Sequence, residues 1–267
     1  MPAEILSHPA SGKTAASRLA LPEVTLVAIT SVAVGPTLEA VKRCIDQIDF
    51  GRVLFLSDIE PPAELTGTIE WRKIPALRSR RQYSEFMLRH LHRHVETSHA
   101  LCVQWDGFVI DPSRWSPDFL DFDFIGAPWP QFKDSHVVGN GGFSLRSLQL
   151  MQACAELNYD ESEPEDTWIC RTARPELEAR YAMRFASPLV AKRFAFERTP
   201  ATGEEFGFHG VFNMGEVIGA RRLARILKQL EPELIARNEL WDLLRWALKR
   251  GQVHLSWQVA RRLFGST

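Results

Sequence analysis

The sequence predicts an α/β domain with a mostly parallel sheet flanked by helices. Residues 24–30 (VTLVAIT) are continuously apolar and rich in β-branched side chains, which is typical of a strand buried on both faces. Strand and helix patterns alternate through the first half of the chain: strands at 24–30, 52–57, 68–74 and 100–105, helices at 37–48 and 83–95. This alternation favours parallel strands joined by helical crossovers.

The second half has a different pattern. Short strands are expected at 122–125, 142–145 and 182–186, with a helix at 147–157 and only helices from residue 214 onward. We therefore predict three segments: a flexible tail at 1–21, one α/β domain at 22–213 and a helical C-terminal extension at 214–267.

The composition excludes some classes of protein. The 267 residues carry 32 Lys or Arg and 33 Asp or Glu, so a net charge of -1 gives no overall attraction to nucleic acid or membrane. The four cysteines lie far apart without a CxxC pair, which disfavours a zinc site or disulfide framework. The N-terminal residues lack an apolar run, so we expect neither a signal peptide nor a membrane anchor. A cytoplasmic bacterial protein fits these features.

Asp106 follows the predicted strand at 100–105, in the sequence Gln104-Trp105-Asp106-Gly107. Ligands of open α/β sheets bind beyond the carboxyl ends of the strands. A carboxylate there can ligate a divalent cation that also contacts substrate phosphates. The alternative is that Asp106 only caps a turn with Gly107.

Two further segments have the same ambiguity. Residues 138–147 (VGNGGFSLRS) allow close backbone approach to a ligand, but Asn140-Gly141 is equally a hairpin signal. Glu165 and Asp166 begin a predicted helix, where acids complement the helix dipole or can act as a general base.

His209 lies between two glycines in the segment FGFHG (residues 206–210). A lone histidine is more often structural, but flanking glycines favour an exposed imidazole, which is a good metal ligand.

Together, these blocks resemble a known family. The order QWDGF, DFIGAPW, VGNGGFSLRS, Glu165-Asp166 and FGFHG resembles DUF5672, a group of bacterial glycosyltransferase-like proteins. The resemblance covers roughly residues 24–213 and implies a GT-A-like fold. The helices from residue 214 lie outside it.

A more remote similarity to metal-dependent β-1,4-galactosyltransferases implies individual roles. Asp106 matches the second aspartate of the family's Asp-x-Asp motif, and His209 matches the metal ligand. Gly141 and Gly142 match the glycine pair near the donor sugar. Asp166, with Glu165 beside it, matches the catalytic base. The sequence departs from the motif at Gln104, whose amide brings no charge to a metal.

The same resemblance places the donor nucleotide after the first strands. Thr30 and Ser31 follow the first strand, and Asp58 follows the second. Arg78 lies in a cluster with Arg80 and Arg81, where guanidinium groups suit phosphate oxygens, although a solvated basic loop is the alternative. The predicted donor-binding set is completed by Tyr83, Gln104 and Trp105.

The resemblance thus implies transfer of a sugar from a UDP-linked donor to a hydroxyl of a glycan or glycolipid. We expect an inverting reaction assisted by Mn²⁺ or Mg²⁺. One alternative is a nucleotidyltransferase. The phosphate loop of such enzymes is usually a glycine-rich, basic segment after the first strand, whereas residues 31–35 contain one glycine and no lysine, which counts against this alternative. Another is a non-catalytic glycan-binding or scaffold protein, which Gln104 keeps open.

The C-terminal helices are basic and aromatic. They can pack on their own domain, on a second copy of the chain, or on an anionic membrane surface. Peripheral contact with the inner membrane face would suit a lipid-linked acceptor.

Overall fold

The computed structural model describes residues 18–65 and 67–265. Its strands within these residues are β1 (Leu19–Ile29), β2 (Ile48–Ser57), β3 (Glu70–Lys73), β4 (His99–Val103), β5 (Gly107–Val109), β6 (Phe124–Ile125), β7 (Phe143–Ser147), β8 (Ala195–Phe196) and β9 (Gly207–His209). The helices are α1 (Val34–Ile45), α2 (Arg80–Arg89), α3 (Leu148–Glu156), α4 (Glu165–Thr167), α5 (Arg174–Tyr181), α6 (Pro188–Phe194), α7 (Val211–Ile218), α8 (Ala220–Leu227), α9 (Arg237–Lys249) and α10 (Val253–Phe264).

The predicted fold class is confirmed. A six-stranded sheet has the order β3-β2-β1-β4-β7-β6, in which the first four strands are parallel and the last two pairings are antiparallel. β5, β9 and β8 form a second, small sheet.

β1 lies at the centre of the main sheet, and both of its faces are covered. Leu26 and Ala28 belong to a large core cluster that includes the apolar face of α1. Val27 and Ile29 point to the other face and pack with apolar residues of α2. Burial on both faces explains why this strand has a continuous apolar sequence rather than an alternating one.

The C-terminal helices share the main core. Met214 of α7, Leu227 of α8, Leu243 of α9 and Val259 of α10 are fully buried in the same cluster as Leu26 of β1. The helical content expected after residue 214 is confirmed, although α7 begins earlier, at Val211. The division into an α/β domain and an extension stays a prediction.

Two local predictions need correction. The strand expected at 182–186 is absent: Ala182 ends α5 in the left-handed conformation (φ 55°), and only Phe185 forms a bridge, to Phe124. The tail predicted at 1–21 is too long, because β1 begins at Leu19 and pairs with β2 from there. The rest of that tail, residues 1–17, lies outside the described residues.

Candidate functional site

A hairpin turn places Asp106 at the carboxyl end of β4. Gln104 and Gly107 exchange two backbone hydrogen bonds of 3.1 Å, so Trp105 and Asp106 occupy the tip of the turn between β4 and β5. β5 then pairs with β9, and Gly107 lies opposite His209. The backbone amide of Gly210 also donates to the carbonyl of Asp106 at 2.9 Å. Residues more than 100 positions apart thus become neighbours.

Asp106 and His209 meet inside the molecule. The distance from Asp106 Oδ1 to His209 Nε2 is 3.5 Å, and Asp106 is buried. Gln104 Oε1 lies 3.4 Å from His209 Nε2, and Gln104 Nε2 donates to the Tyr83 hydroxyl at 3.1 Å. Burial raises the pKa of Tyr83, so its hydroxyl stays protonated. Tyr83 therefore holds the Gln104 carbonyl toward His209.

The other imidazole nitrogen faces a carboxylate. His209 Nδ1 lies 3.1 Å from Glu197 Oε1 and 3.0 Å from the Asn140 side-chain nitrogen, which is a donor. Glu197 is therefore the acceptor for the Nδ1 proton. In the neutral ring, this leaves the Nε2 lone pair directed toward Asp106 and Gln104. A carboxylate that fixes the tautomer in this way is typical of metal-ligating histidines.

The charges around His209 are strongly coupled. Burial alone lowers the pKa of His209, but the charges and hydrogen bonds of Asp106 and Glu197 outweigh it, and the pKa lies well above its usual value. Burial also disfavours the charged form of Glu197 and so raises its pKa, but the contact with His209 outweighs burial and lowers the pKa overall. The pocket thus favours positive charge between two carboxylates, whether a proton or a cation supplies it.

The glycines of this region make space for the imidazole. A Cβ on Gly142 would lie 2.0 Å from His209 Nε2, and one on Gly107 would lie 2.8 Å from the ring's Cδ2. Asn140 shapes the same loop with a left-handed backbone (φ 72°), and its Oδ1 accepts the amide protons of Gly142 and Phe143. Gly107 and Gly142 therefore allow close packing around His209, whereas a Cβ on Gly141 would lie 2.2 Å from Glu165 Oε1.

The acidic pair is divided between two environments. Asp166 faces the cavity, and its Oδ2 accepts the Gly141 amide proton at 2.9 Å. Glu165 is buried and pairs with Arg146 at 2.9 Å, where Arg146 is 1% exposed. Burial and the charge of Asp166 raise the pKa of Glu165, although Arg146 opposes this. Asp166 is thus the accessible carboxylate, while Glu165 supports the loop from beneath.

These residues line a cleft with two lobes. The larger lobe, about 830 Å³, contains the site residues Asp106, Gly141, Gly142, Glu165, Asp166 and His209. The smaller lobe, about 400 Å³, is lined by Thr30, Ser31 and Arg78. The two lobes share part of their lining: Arg80, Tyr83, Gln104, Trp105 and Leu234.

Two side-chain hydroxyl groups hold the backbone at the wall of the smaller lobe by accepting its amide protons. Thr30 Oγ1 accepts the amide protons of residues 32 and 33, and Ser31 Oγ accepts the amide proton of Leu77 at 2.9 Å. Arg78 pairs with Asp58 at 3.2 Å. The other carboxylate oxygen of Asp58 is buried without a hydrogen-bond partner among the described residues. Asp58 thus contacts Arg78, which lines the smaller lobe, but is not itself part of the lining of either lobe.

Sequence patterns did not indicate several residues of the larger lobe. Glu197 and Arg198 follow β8, and Glu239 reaches the lobe from the first turn of α9. Burial and then the charge of Asp106 raise the pKa of Glu239. None of these residues lies in a recognisable motif. They reach the site only through the pairing of β8 with β9 and the packing of α9, which the sequence does not reveal.

The donor set suits a divalent cation only in part. Within residues 18–65 and 67–265, no group of three or more His, Cys, Asp or Glu residues is arranged to hold a metal ion. Asp106 and His209 nevertheless offer one carboxylate oxygen and one imidazole nitrogen, with the neutral Gln104 oxygen beside them. Magnesium-like cations often take few protein ligands and complete their sphere with substrate phosphates and water. The residues therefore fit a cation that is bound together with a phosphorylated ligand.

A match to one family covers most of this site. Residues 68–209 match the family described as "Protein of unknown function (DUF5672)", which is more than half of the chain. The chain belongs to the DUF5672 family. The matched segment of this DUF5672 protein is shorter than the 24–213 expected from the sequence blocks, and it excludes Thr30, Ser31 and Asp58. No curated protein sequence matches the chain significantly.

Solved structures with a similar fold include two glycosyltransferases. One is the mannosyltransferase PcManGT from Pyrobaculum calidifontis in complex with GDP-Man and Mn²⁺, with 11% identity, coverage of 95% of this chain and 85% of that chain, and a TM-score of 0.42. The other is the apo-form glycosyltransferase GlyE of Streptococcus pneumoniae TIGR4, with 10% identity, coverage of 72% and 54%, and a TM-score of 0.42. Both TM-scores are low, and the function proposed below therefore rests on the cleft itself.

Proposed function

We propose that this DUF5672 protein transfers a sugar from a nucleoside diphosphate sugar to an acceptor hydroxyl. The observation that carries the proposal is the meeting of Asp106 and His209 in the larger lobe, which also contains Asp166. The adjoining smaller lobe lies where β1 ends, the edge at which open α/β sheets bind nucleotides. UDP is the nucleotide that the resemblance to galactosyltransferases implies.

The two lobes suit the two halves of such a donor. The nucleoside would occupy the smaller lobe, beside Thr30, Ser31 and Arg78. Arg80 lines both lobes and can pair with the diphosphate between them. The sugar and acceptor would then lie in the larger lobe, where the carboxylates of Asp166 and Glu239 can accept hydrogen bonds from hydroxyl groups.

Asp166 is the candidate base. The acceptor oxygen forms a bond to the anomeric carbon while the bond from that carbon to the diphosphate oxygen breaks, and the hydroxyl proton passes to Asp166. The Gly141 amide holds Oδ2 in place, so the carboxylate is oriented before the acceptor arrives. One such displacement inverts the anomeric centre. A divalent cation held by Asp106 and His209 would neutralise the charge that develops on the leaving diphosphate.

The first test is ligand-dependent thermal stability. Mn²⁺ with UDP or GDP should stabilise the native chain, by about 2.7 kcal/mol when the ligand is at 100 times its Kd. We expect one nucleotide to be preferred and Mn²⁺ alone to have little effect. The Asp106→Asn variant should lose the Mn²⁺-dependent part of the stabilisation, while the exposed-site control Asp121→Asn keeps it. Absence of stabilisation by any nucleoside diphosphate, with or without Mn²⁺, would overturn the proposal.

A second candidate is a non-catalytic protein that binds nucleotide sugars or glycans. It is favoured by Gln104, which brings no charge to a cation, and by the lack, among the described residues, of a group of three or more His, Cys, Asp or Glu residues that could hold a metal ion. Release of nucleoside diphosphate from a bound donor separates the two candidates, because only an enzyme breaks the bond to the anomeric carbon.

A further inference from the structure

The outer face of the last helix carries large apolar side chains that the fold leaves exposed. Val253 is 79% exposed, Trp257 58% and Phe264 61%, and Leu248 at the end of α9 is 63% exposed. At about 100° per residue, positions 253, 257 and 264 fall within an arc of about 40°. The opposite side of α10 is buried in the main core. We call this surface, with Lys249 and Arg261, the α9–α10 face.

The end of α9 and the whole of α10 carry only basic residues among their charged residues. No Asp or Glu follows Asp242, whereas residues 243–267 contain five Lys or Arg: Arg245, Lys249, Arg250, Arg261 and Arg262. The whole chain has a net charge of -1, so its negative charge lies elsewhere. The excess of positive charge is therefore a local property of residues 243–267, whereas the first half of α9 contains Glu239 and Asp242.

Some of these basic groups have internal partners and others do not. Arg250 pairs with Glu216, and Arg262 donates to the Leu230 carbonyl at 2.7 Å. Lys249 is exposed and has no ion pair within the described residues. Arg261 lies over the Trp257 ring, with 4.8 Å between the guanidinium carbon and the ring centroid. The face thus presents Lys249, which has no ion pair within the described residues, and Arg261 beside the Trp257 ring.

We propose that the α9–α10 face docks on the surface of an anionic lipid bilayer. Exposed aromatic and aliphatic side chains flanked by Lys and Arg are the features of helices that lie in the membrane interface. Basic residues near such a surface add attraction to acidic headgroups. A second copy of the chain fits less well, because a twofold interface would bring Lys249 and Arg261 of one copy close to the same cationic side chains of the other. No helix of the described residues is long and apolar enough to cross a membrane, so the contact is peripheral.

The same hairpin is connected to the cleft. Glu239 in the first turn of α9 lines the larger lobe, and Lys249 at the other end of α9 belongs to the docking face. Their separation of ten positions corresponds to about 15 Å of helix. Docking would hold the larger lobe close to the bilayer, where a lipid-linked acceptor would be found. This consequence rests on the proposed function, whereas the docking itself does not.

The test is sedimentation of the full chain with lipid vesicles. We expect the chain to bind vesicles of phosphatidylcholine mixed with phosphatidylglycerol, and to bind vesicles of phosphatidylcholine alone at least about tenfold more weakly. The double variant Val253→Ser/Trp257→Ser and the charge-reversal variant Lys249→Glu/Arg261→Glu should each lower binding to the anionic vesicles about tenfold or more. All four side chains are exposed, so the melting temperature should stay close to that of the unmodified chain.

A matched control uses another exposed surface. Leu189→Ser/Lys192→Glu changes an exposed leucine (77%) and an exposed lysine on α6, and it should bind vesicles normally. Equal loss in this control, or normal binding by the two α9–α10 variants, would overturn the proposal. A solution dimer that Val253→Ser/Trp257→Ser dissociates, without vesicle binding, would assign the face to a second copy instead. Nucleotide binding measured on the same variants keeps this result separate from the proposed function.

Discussion

The two lobes of the cleft are built in different ways. In the larger lobe, charged side chains from distant parts of the sequence contact one another directly, as in the group of Asp106, His209 and Glu197. In the smaller lobe, the hydroxyls of Thr30 and Ser31 bind backbone amides of nearby loops. The larger lobe therefore contains charged groups that can bind a cation or transfer a proton, whereas the smaller lobe has hydroxyl groups that hold the backbone of its wall in place. We therefore expect substitutions in the larger lobe to affect turnover or metal binding, and those in the smaller lobe to affect donor binding.

The largest effect is expected at Asp166. Asp166→Asn keeps the shape of the side chain but cannot accept the acceptor's proton, so kcat should fall by about 10²- to 10⁴-fold. Donor affinity should change little, because the asparagine keeps a side-chain oxygen that can accept hydrogen bonds from the Gly141 amide and from a sugar hydroxyl. The measurement is nucleoside diphosphate release from the donor that stabilises the chain most. Asp121→Asn is the control, and full activity of Asp166→Asn would remove the base from the mechanism.

A smaller effect is expected at Glu197. Glu197→Gln weakens the acceptor that fixes the Nδ1 proton of His209, and loss of such a partner lowers metal affinity by about 10- to 100-fold. Calorimetric titration of Mn²⁺ into the nucleotide complex measures this change, with the exposed Glu60→Gln as control. Unchanged Mn²⁺ affinity in Glu197→Gln would mean that His209 does not hold the cation.

The smallest effect is expected in the smaller lobe. Ser31→Ala leaves the buried Leu77 amide without its acceptor. An unsatisfied buried amide lowers the free energy of unfolding by about 1 to 3 kcal/mol, and we expect the lower end of this range because the amide lies at the wall of an open cleft. Urea unfolding measures this cost, with the exposed Ser135→Ala as control. The KM for the donor should rise while kcat stays constant. A fall in kcat with an unchanged KM would contradict the division of roles between the lobes.

The sequence predicted the main sheet well, because its strands have strong local patterns. The apolar run of β1 indicates a buried strand without tertiary information, whereas the strand expected at 100–105 ends earlier, at Val103, where the turn to β5 follows. The strand expected at 182–186 was wrong in extent, because Phe185 pairs with Phe124 through a single parallel bridge and the left-handed Ala182 prevents a longer strand. Short strands such as β8 and β9 have too few residues to show a period.

The candidate site was predictable only where residue type and motif coincide. Asp106 and His209 were identified as metal ligands from their blocks, and the structure brings them together. Their roles, and those predicted for the other site residues, stay predictions. Glu197 and Glu239 carried no signal, because their positions depend on β8–β9 pairing and on the packing of α9.

The central position of β1 has a consequence for any shortened form of this protein. The segment shared with the family begins at residue 68, so a fragment cut to it would lack both β1 and β2. β4, all five of whose residues are buried, would then have an open edge where β1 normally pairs. An exposed apolar strand edge recruits strands from other molecules, so such a fragment would aggregate rather than fold.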